Sequence, residues 1–314
     1  MPPFSDSDHA LLELAHILKN LGYRFTTVTP ATHERINARP NNRWAKDLRG
    51  IFGWSRPFHP DILPPDVWQA LQRAQAAVPF EDGFRSSVRL SSLSGQAFWH
   101  SAFPTNEPDS VFFGPDTYRY ALALQQLFAS GLAPVKRAVD IGTGAGPGAI
   151  LTALQFPDAQ VFGVDINPKA LRLTRLNAAL VGAGNVEALE SNLLNGVEGD
   201  FDLIVANPPY LVDASERAYR HGGGPLGAGL SLAILDCALE RLARSGTLLL
   251  YTGAAMMSGT DPFREAVEKR LAGVNARFSL REMDPDIFGE ELEGGAYSGC
   301  DRIAAVVLTV KKAD

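Results

Sequence analysis

The chain has 314 residues, 46% hydrophobic and 20% charged, a length that suits two domains or one large domain with an extension. This composition excludes a disordered or low-complexity polymer, and the net charge of −6 argues against a protein that lives on phosphate backbones. The first residues, Met1-Pro2-Pro3-Phe4-Ser5-Asp6, carry no apolar stretch, so no secretory signal is expected. The longest weakly polar run, 247–257, is too short to cross a bilayer. Two cysteines, Cys237 and Cys300, show neither metal-ligand nor redox spacing, which points to the reducing cytoplasm.

The charge is divided along the chain. Residues 1–110 hold 11 basic and 11 acidic side chains, whereas 111–314 hold 18 and 24. The patterning changes at the same place, so the chain is read as a mainly helical N-terminal domain, 1–110, followed by a second domain, 111–314. In the first, Leu11, Leu14, Ala15 and Leu18 recur at helical spacing and Gly22 offers a stop. Thr29-Pro30 reads as an N-cap and first helical residue, opening a helix to about Ile36. Pro64-Pro65 opens another, with Val67, Trp68, Leu71 and Ala74 inward. Segments 87–93 and 96–100, split by Ser94-Gly95, predict a β-hairpin.

From residue 111 the period alternates. A helix is predicted from Thr117 to Ser130, ending at Gly131. Apolar strand-like runs follow at 138–141, 161–164, 186–189, 203–206, 247–251, 276–280 and 303–310. Helical stretches at 149–155, 168–181, 230–243 and 262–271 separate most of them. Such alternation predicts an α/β fold with a parallel sheet covered on both faces. The last two runs lack an intervening helix and are expected to pair antiparallel at one edge.

Three segments carry chemistry. Asp140-Ile141-Gly142-Thr143-Gly144-Ala145-Gly146-Pro147-Gly148 ends the first strand of this region and opens a helix. Glycines let the backbone turn tightly and admit a ligand without a Cβ in the way, and the helix N-terminus behind them offers free N–H groups. The same residues meet a loose dinucleotide fingerprint, and a tight structural turn is the plain alternative. Asp165-Ile166-Asn167 ends the next strand, where an acid can accept both ribose hydroxyls; a helix cap before Pro168 is the alternative. Asn207-Pro208-Pro209-Tyr210 follows the 203–206 strand. An Asn oxygen and a proline carbonyl side by side can take both hydrogens of an amino or amide nitrogen, while the Tyr ring covers a planar group. The alternative, a Pro-Pro surface turn, fits poorly at the carboxyl end of a parallel strand.

These three segments in this order resemble class I S-adenosylmethionine (SAM)-dependent methyltransferases over about residues 111–314. The Asn-Pro-Pro-Tyr tetrapeptide is similar to that of the HemK/PrmC-like glutamine methyltransferases. Gly114-Pro115-Asp116-Thr117-Tyr118 and His221-Gly222-Gly223-Gly224 stand where that group carries a Pro/Asp/Thr-containing segment and a Gly-rich loop. The resemblance implies a Rossmann-like, seven-stranded, mostly parallel sheet with an antiparallel last strand. It implies that Asp140, Gly142, Gly144 and Gly146 cradle the methionine part of SAM, that Asp165 holds the ribose and that Ile166 packs on adenine. Asn192 stands where the group usually has an Asp facing the adenine amino group, so it keeps an acceptor oxygen and drops a charge. Asn207 and the Pro208 carbonyl would orient the acceptor nitrogen under Tyr210, with Pro209, Thr117 and Tyr118 on the acceptor side. No metal is called for, because the sulfonium methyl is already activated and catalysis is mostly alignment.

The expected activity is methyl transfer from SAM to an amino or amide nitrogen of a small molecule or of protein glutamine. Three rivals remain at this level. A nucleic-acid amino methyltransferase would use the same tetrapeptide, although the acidic catalytic part and the lack of an RNA-binding module count against it. An enzyme that cyclises SAM, or transfers its aminocarboxypropyl arm, would release methylthioadenosine. A silent SAM-binding module is the third.

Weaker features have plain readings. Residues 35–56 carry +5 and are read as a solvated helical face. Phe98, Trp99, Phe103, Phe112, Phe113, Tyr118 and Tyr120 are read as core, with a lid as the sharper option. Residues 222–229 are read as a mobile loop. The acids Asp284, Asp286, Glu290, Glu291 and Glu293 are read as a solvated connection, and His100 and His221 as packing or loop residues.

Overall fold

Ser5 caps the first helix, α1 (Asp6–Asn20): its Oγ accepts the Asp8 N–H, and the Asp8 carboxylate accepts the Ser5 N–H, a reciprocal arrangement that satisfies two otherwise orphaned donors. The architecture is that of a computed structural model describing residues 3–213, 217 and 219–313. Leu11, Leu14, Ala15 and Leu18 form the buried face of α1, and Gly22, at φ 74°, ends it. Helix α2 (Pro30–Asn37) opens on the Thr29 cap. It is followed by the short α3 (Leu48–Phe52) and by α4 (Pro65–Arg73), which buries Val67, Ala70 and Leu71. Strands β1 (Ala77–Phe80) and β2 (Gly83–Ser86) form a hairpin that the sequence reading did not contain. A proline inside a four-residue strand and the acidic Glu81-Asp82 corner hide its alternation. The expected hairpin is present as β3 (Val88–Leu93) and β4 (Gln96–Ser101).

Residues 35–56 depart from the expected helical face. Pro40 breaks the chain into the end of α2, a single 3-10 turn at Pro40–Asn42 and α3. Arg43 pairs with Glu81 at 3.0 Å, and Arg56 Nε donates to Asn37 Oδ1 at 2.8 Å.

After α5 (Pro115–Ala129) the strands and helices alternate. The elements are β5 (Arg137–Ile141), α6 (Pro147–Gln155), β6 (Gln160–Asp165), α7 (Pro168–Val181), β7 (Val186–Glu190), β8 (Phe201–Ala206), α8 (Gly229–Arg241), β9 (Leu242–Met256), α9 (Pro262–Leu271), β10 (Ala276–Asp284) and β11 (Arg302–Lys312). Among the described residues seven strands form one sheet in the order β10-β11-β9-β8-β5-β6-β7. The five from β9 to β7 run parallel. The expected antiparallel pair is there, but the last strand inserts between β9 and β10 and is antiparallel to both, which leaves β10 at the edge.

The register of β5 positions the site. Asp140 lies opposite Gly163 on one side and Val205 on the other, and Ile141 opposite Val164 and Ala206. The carboxyl ends of β5, β6 and β8 are therefore level. The chain leaves β5 toward β6 and leaves its neighbour β8 the other way, toward β9, and that reversal opens a crevice above the sheet.

The N-terminal part is anchored beside this crevice by buried polar bonds. Asn177, on α7, accepts the Trp99 N–H at 2.7 Å and donates Nδ2 to the carbonyls of Trp99 at 2.9 Å and Ala145 at 2.8 Å. The Trp99 indole N–H reaches the Leu11 carbonyl at 3.2 Å, and Arg172 pairs with Asp8 at 2.7 Å. One hydrophobic core runs through Leu11, Trp99, Ala145 and Leu176, so the second hairpin and the glycine loop share their packing. Among the described residues no helix is long and apolar enough to cross a membrane.

Candidate functional site

The crevice at the carboxyl ends of β5, β6 and β8 is lined by Asp140, Gly142, Gly144, Asp165, Ile166, Asn192, Asn207, Pro208, Pro209, Tyr210 and Thr117. The three segments singled out in the sequence thus converge on one cleft. Gly142 and Gly144 take φ of 69° and 57°, backbone values that side chains other than glycine adopt only at a cost. Two residues fall outside the lining. Gly146 caps α6, and a Cβ there would meet Ile150 and Thr174 at 3.1 Å, so it faces the helices behind the loop. Tyr118 turns toward the N-terminal part, where its hydroxyl accepts the Thr27 N–H at 2.9 Å.

Asp140 is fully committed to protein donors. Its Oδ1 accepts the Tyr120 hydroxyl at 3.0 Å, and its Oδ2 accepts Thr143 Oγ1 at 2.8 Å and the Ala149 N–H at 2.9 Å. Burial nevertheless pushes its carboxyl up to about 6, against those three hydrogen bonds. The carboxylate clamps the glycine loop to α5 and to the first turn of α6.

Asp165 holds the other side of the loop. Its Oδ2 accepts the Gly144 N–H at 3.0 Å, and its Oδ1 accepts the Asn167 N–H at 2.9 Å. Burial raises this carboxyl too, and the backbone donors pull it part of the way back. Asn167, not Asp165, caps α7, so the acid stays at the cleft. Ile166 is 59% exposed, an apolar face left open to the crevice, and the exposed Asn192 lines the same crevice.

The Asn207–Tyr210 loop leaves β8 directly beside the glycine loop, since Ala206 lies opposite Ile141. Tyr210 is buried at 7% exposure, and its ring meets those of Tyr251 and Phe288 edge-on at 6.4 and 6.0 Å. Burial and the neighbouring Asp116 carboxylate push its hydroxyl well above its ordinary value. Glycines make room for it: a Cβ on Gly253 of β9 would run into the ring, and one on Gly227 into its carbonyl. Residues 222–229, expected as a mobile loop, are packed against Tyr210. The Gly222 N–H donates to the Leu211 carbonyl at 2.8 Å, and the Leu211 N–H to the Arg220 carbonyl at 3.1 Å.

The cleft is roofed by residues that periodicity did not single out. The rings of Phe112 and Tyr219 lie nearly parallel at 6.2 Å, and the Tyr219 hydroxyl donates to the Thr105 carbonyl at 2.6 Å. Phe98, Trp99 and Phe113 are core, as their plain reading has it, whereas Phe112 lines the cleft and the buried Tyr120 reaches its wall. His100 is also core, stacked on Phe113 at 4.9 Å and bonded to Ser91 Oγ at 2.7 Å. Of the acids at 284–293, Asp286, Glu290 and Glu293 are exposed, as expected of a solvated connection, but the other two are tied down. Asp284 pairs with Arg119 at 2.7 Å, and Glu291 pairs with Arg220, which lines the cleft. Sequence position alone hides such ion pairs, because the partners stand 165 and 71 residues apart.

Comparison with known proteins gives a consistent picture. The methyltransferase small domain matches residues 121–256. The release factor glutamine methyltransferase of Deinococcus radiodurans is 34% identical over 259 residues, 80% of this chain and 84% of that protein. That of Bradyrhizobium diazoefficiens is 32% identical, over 76% of this chain and 84% of that protein. The ribosomal protein uL3 glutamine methyltransferase of Bordetella pertussis is 38% identical over 149 residues, 41% of this chain and 50% of that protein. Among solved structures, Trm5b from Pyrococcus abyssi shares the fold, with a TM-score of 0.50 and 16% identity, over 79% of this chain and 68% of that one.

Proposed function

The chain belongs to the family of the release factor glutamine methyltransferases, and from that premise we propose that its acceptor is the side-chain amide of a glutamine presented by a protein. The enzyme is a SAM-dependent methyltransferase. One observation carries the proposed reading: the Asn207–Tyr210 loop stands at the carboxyl end of β8, level with the glycine loop of β5, so donor and acceptor meet in one crevice.

The residues present fit SAM. Gly142 and Gly144 leave the backbone of the loop open, and no atom lies within 4 Å of where a Cβ on Gly142 would stand. The methionine end would lie there and the ribose on Asp165, with adenine between Ile166 and Asn192. Asp140 braces the loop at the cleft wall through its three protein donors, and Gly146 shapes it from behind. Bound SAM supplies a methyl group already activated by the sulfonium. Asn207 Oδ1 and the Pro208 carbonyl would take the two hydrogens of the amide nitrogen, leaving its lone pair aimed across the crevice. Pro208 and Pro209 stiffen the loop, and Tyr210 walls the nitrogen off from water.

The roof and the N-terminal part are read as the acceptor side: residues 1–110 present Pro30 to the cleft mouth, and residues 110–112 and 219–220 cover it. A cytoplasmic enzyme is in keeping with Cys237 and Cys300, both free, since thiols stay reduced there. The test is the by-product. Incubation with SAM should release S-adenosylhomocysteine only when a glutamine-bearing acceptor protein is present; methylthioadenosine released without acceptor would overturn the reading.

A further inference from the structure

Asp116 stands in the first turn of α5 and lines the crevice, and no step above uses it. Its carboxylate is buried at 7% exposure. Oδ1 accepts the Tyr251 hydroxyl at 2.7 Å and Arg119 Nη1 at 3.1 Å. Arg119 then extends Nη2 to Asp284 at 2.7 Å, where β10 ends and the chain turns back toward Phe288. An ordinary pair three residues apart on a helix would sit in solvent and fix nothing beyond its own turn. This one joins α5, β9 and the end of β10 on a single buried carboxylate.

The Tyr210 hydroxyl lies in the same space, with Asp116, Tyr251 and Arg119 as its neighbours. It is buried and makes no hydrogen bond of good geometry among the described residues, although the Asp116 carboxylate is near enough to add to the rise in pKa that burial causes. A buried donor without a partner, beside a carboxylate that can accept, is an unfinished contact. The ring that carries it meets those of Tyr251 and Phe288 edge-on, and the Tyr251 hydroxyl leads back to the Asp116–Arg119–Asp284 chain.

We propose that Asp116 is a positioning residue of the acceptor site, holding the Tyr210 ring over the nitrogen-binding end of the loop and receiving the Tyr210 hydroxyl once an acceptor is seated. It acts through Tyr210, and Tyr251 and Arg119 fix its own position. The inference rests on the reading that the Asn207–Tyr210 loop holds the acceptor.

The test is a double-mutant cycle between Asp116→Asn and Tyr210→Phe, read as acceptor kcat/KM and, separately, as the SAM dissociation constant. Asp116→Asn should lower kcat/KM about 30-fold with the SAM constant within about twofold. In the Tyr210→Phe background the same substitution should change kcat/KM by less than about twofold, because the hydroxyl it acts on is gone. Effects that multiply independently, or SAM binding lost in step with turnover, would overturn the proposal. Should Asp116→Asn fail to fold, Tyr251→Phe, which removes only one donor to the carboxylate, must show the same pattern at smaller amplitude. A readout free of any acceptor separates this inference from the reading beneath it. With 3-fluorotyrosine at position 210, the fluorine resonance should move in Asp116→Asn and in Arg119→Lys. An unmoved resonance sinks the positioning role, whereas a wild type that methylates no protein sinks only the glutamine reading.

Discussion

Tyr120 donates its hydroxyl to Asp140 Oδ1 at 3.0 Å, and that bond ties α5 to the carboxylate beneath the glycine loop. Tyr120→Phe leaves the buried acid with one donor fewer. The expected loss is about 1–2 kcal/mol of stability, with SAM affinity weakened about three- to tenfold as the loop loosens. Denaturant unfolding and calorimetric titration check the two numbers. Unchanged values for both would mean that the clamp does not depend on α5.

Burial sets a pH dependence at the same residue. The Asp140 carboxyl is pushed up to about 6, against about 3.9 in an unfolded chain. The folded state therefore binds this proton more tightly, a gain fully present below about pH 4 and lost as pH rises through about 6. From this group alone, ligand-free stability should fall by about 3 kcal/mol between those limits. Asp140→Asn, whose amide can face a reoriented Tyr120 hydroxyl, should flatten that part of the profile, read as the difference in unfolding free energy between variant and wild type at each pH. A difference that stays constant from pH 4 to 7 would contradict the assignment.

Gly253 faces the Tyr210 ring so closely that a methyl group there would overlap it. Gly253→Ala must displace either the ring or β9, which is central and rigid. Acceptor kcat/KM should drop at least about tenfold while SAM affinity stays within about twofold. Kinetics with saturating SAM, set beside equilibrium binding, reads the split, and equal losses in both would place Tyr210 in the cofactor site instead.

Asn177 binds the second hairpin to the glycine loop through Trp99 and Ala145. Truncation to Ala strands one buried N–H and two carbonyls at once. A loss of about 3 kcal/mol is expected, visible as a lower denaturant midpoint. Because Ala145 belongs to the loop, SAM should restore part of that stability by mass action. A variant as stable as wild type would show that the hairpin and the sheet are held together by apolar packing alone.

Asn207 and Asp165 divide the labour between nitrogen and ribose. Asn207→Ala should reduce turnover at least about a hundredfold with little change in SAM binding, and Asp165→Ala should do the reverse. Titration calorimetry and initial rates on the same preparations decide it; matching losses of SAM affinity in both variants would remove the division.

The sheet was legible because its strands are continuous apolar runs and most of its helices open on prolines: Pro168–Val181 and Pro262–Leu271 match their observed bounds. The β1–β2 hairpin was not, because Pro79 interrupts a strand of four residues. The three chemical segments were legible for a related reason, since each follows a strand end and carries its residues in one short stretch. What stayed hidden are relationships across the chain. Asp116, Tyr210, Tyr251 and Asp284 meet only after the sheet has formed. Glycines 222–229 look like slack in the sequence, yet their missing side chains are what let the loop lie against Tyr210. Gly146 was read as facing the ligand, and its left-handed cap faces the helices behind the loop, whereas Asp140 lines the cleft while its oxygens take three protein donors.

Site-resolved mass spectrometry of an acceptor protein after incubation with SAM tests the central claim most directly. A single added methyl is expected on the side-chain amide of one glutamine, absent with Asn207→Ala and equal in amount to the S-adenosylhomocysteine formed. A methyl on a lysine or terminal amine, or SAM consumed with the acceptor unmodified, would contradict it.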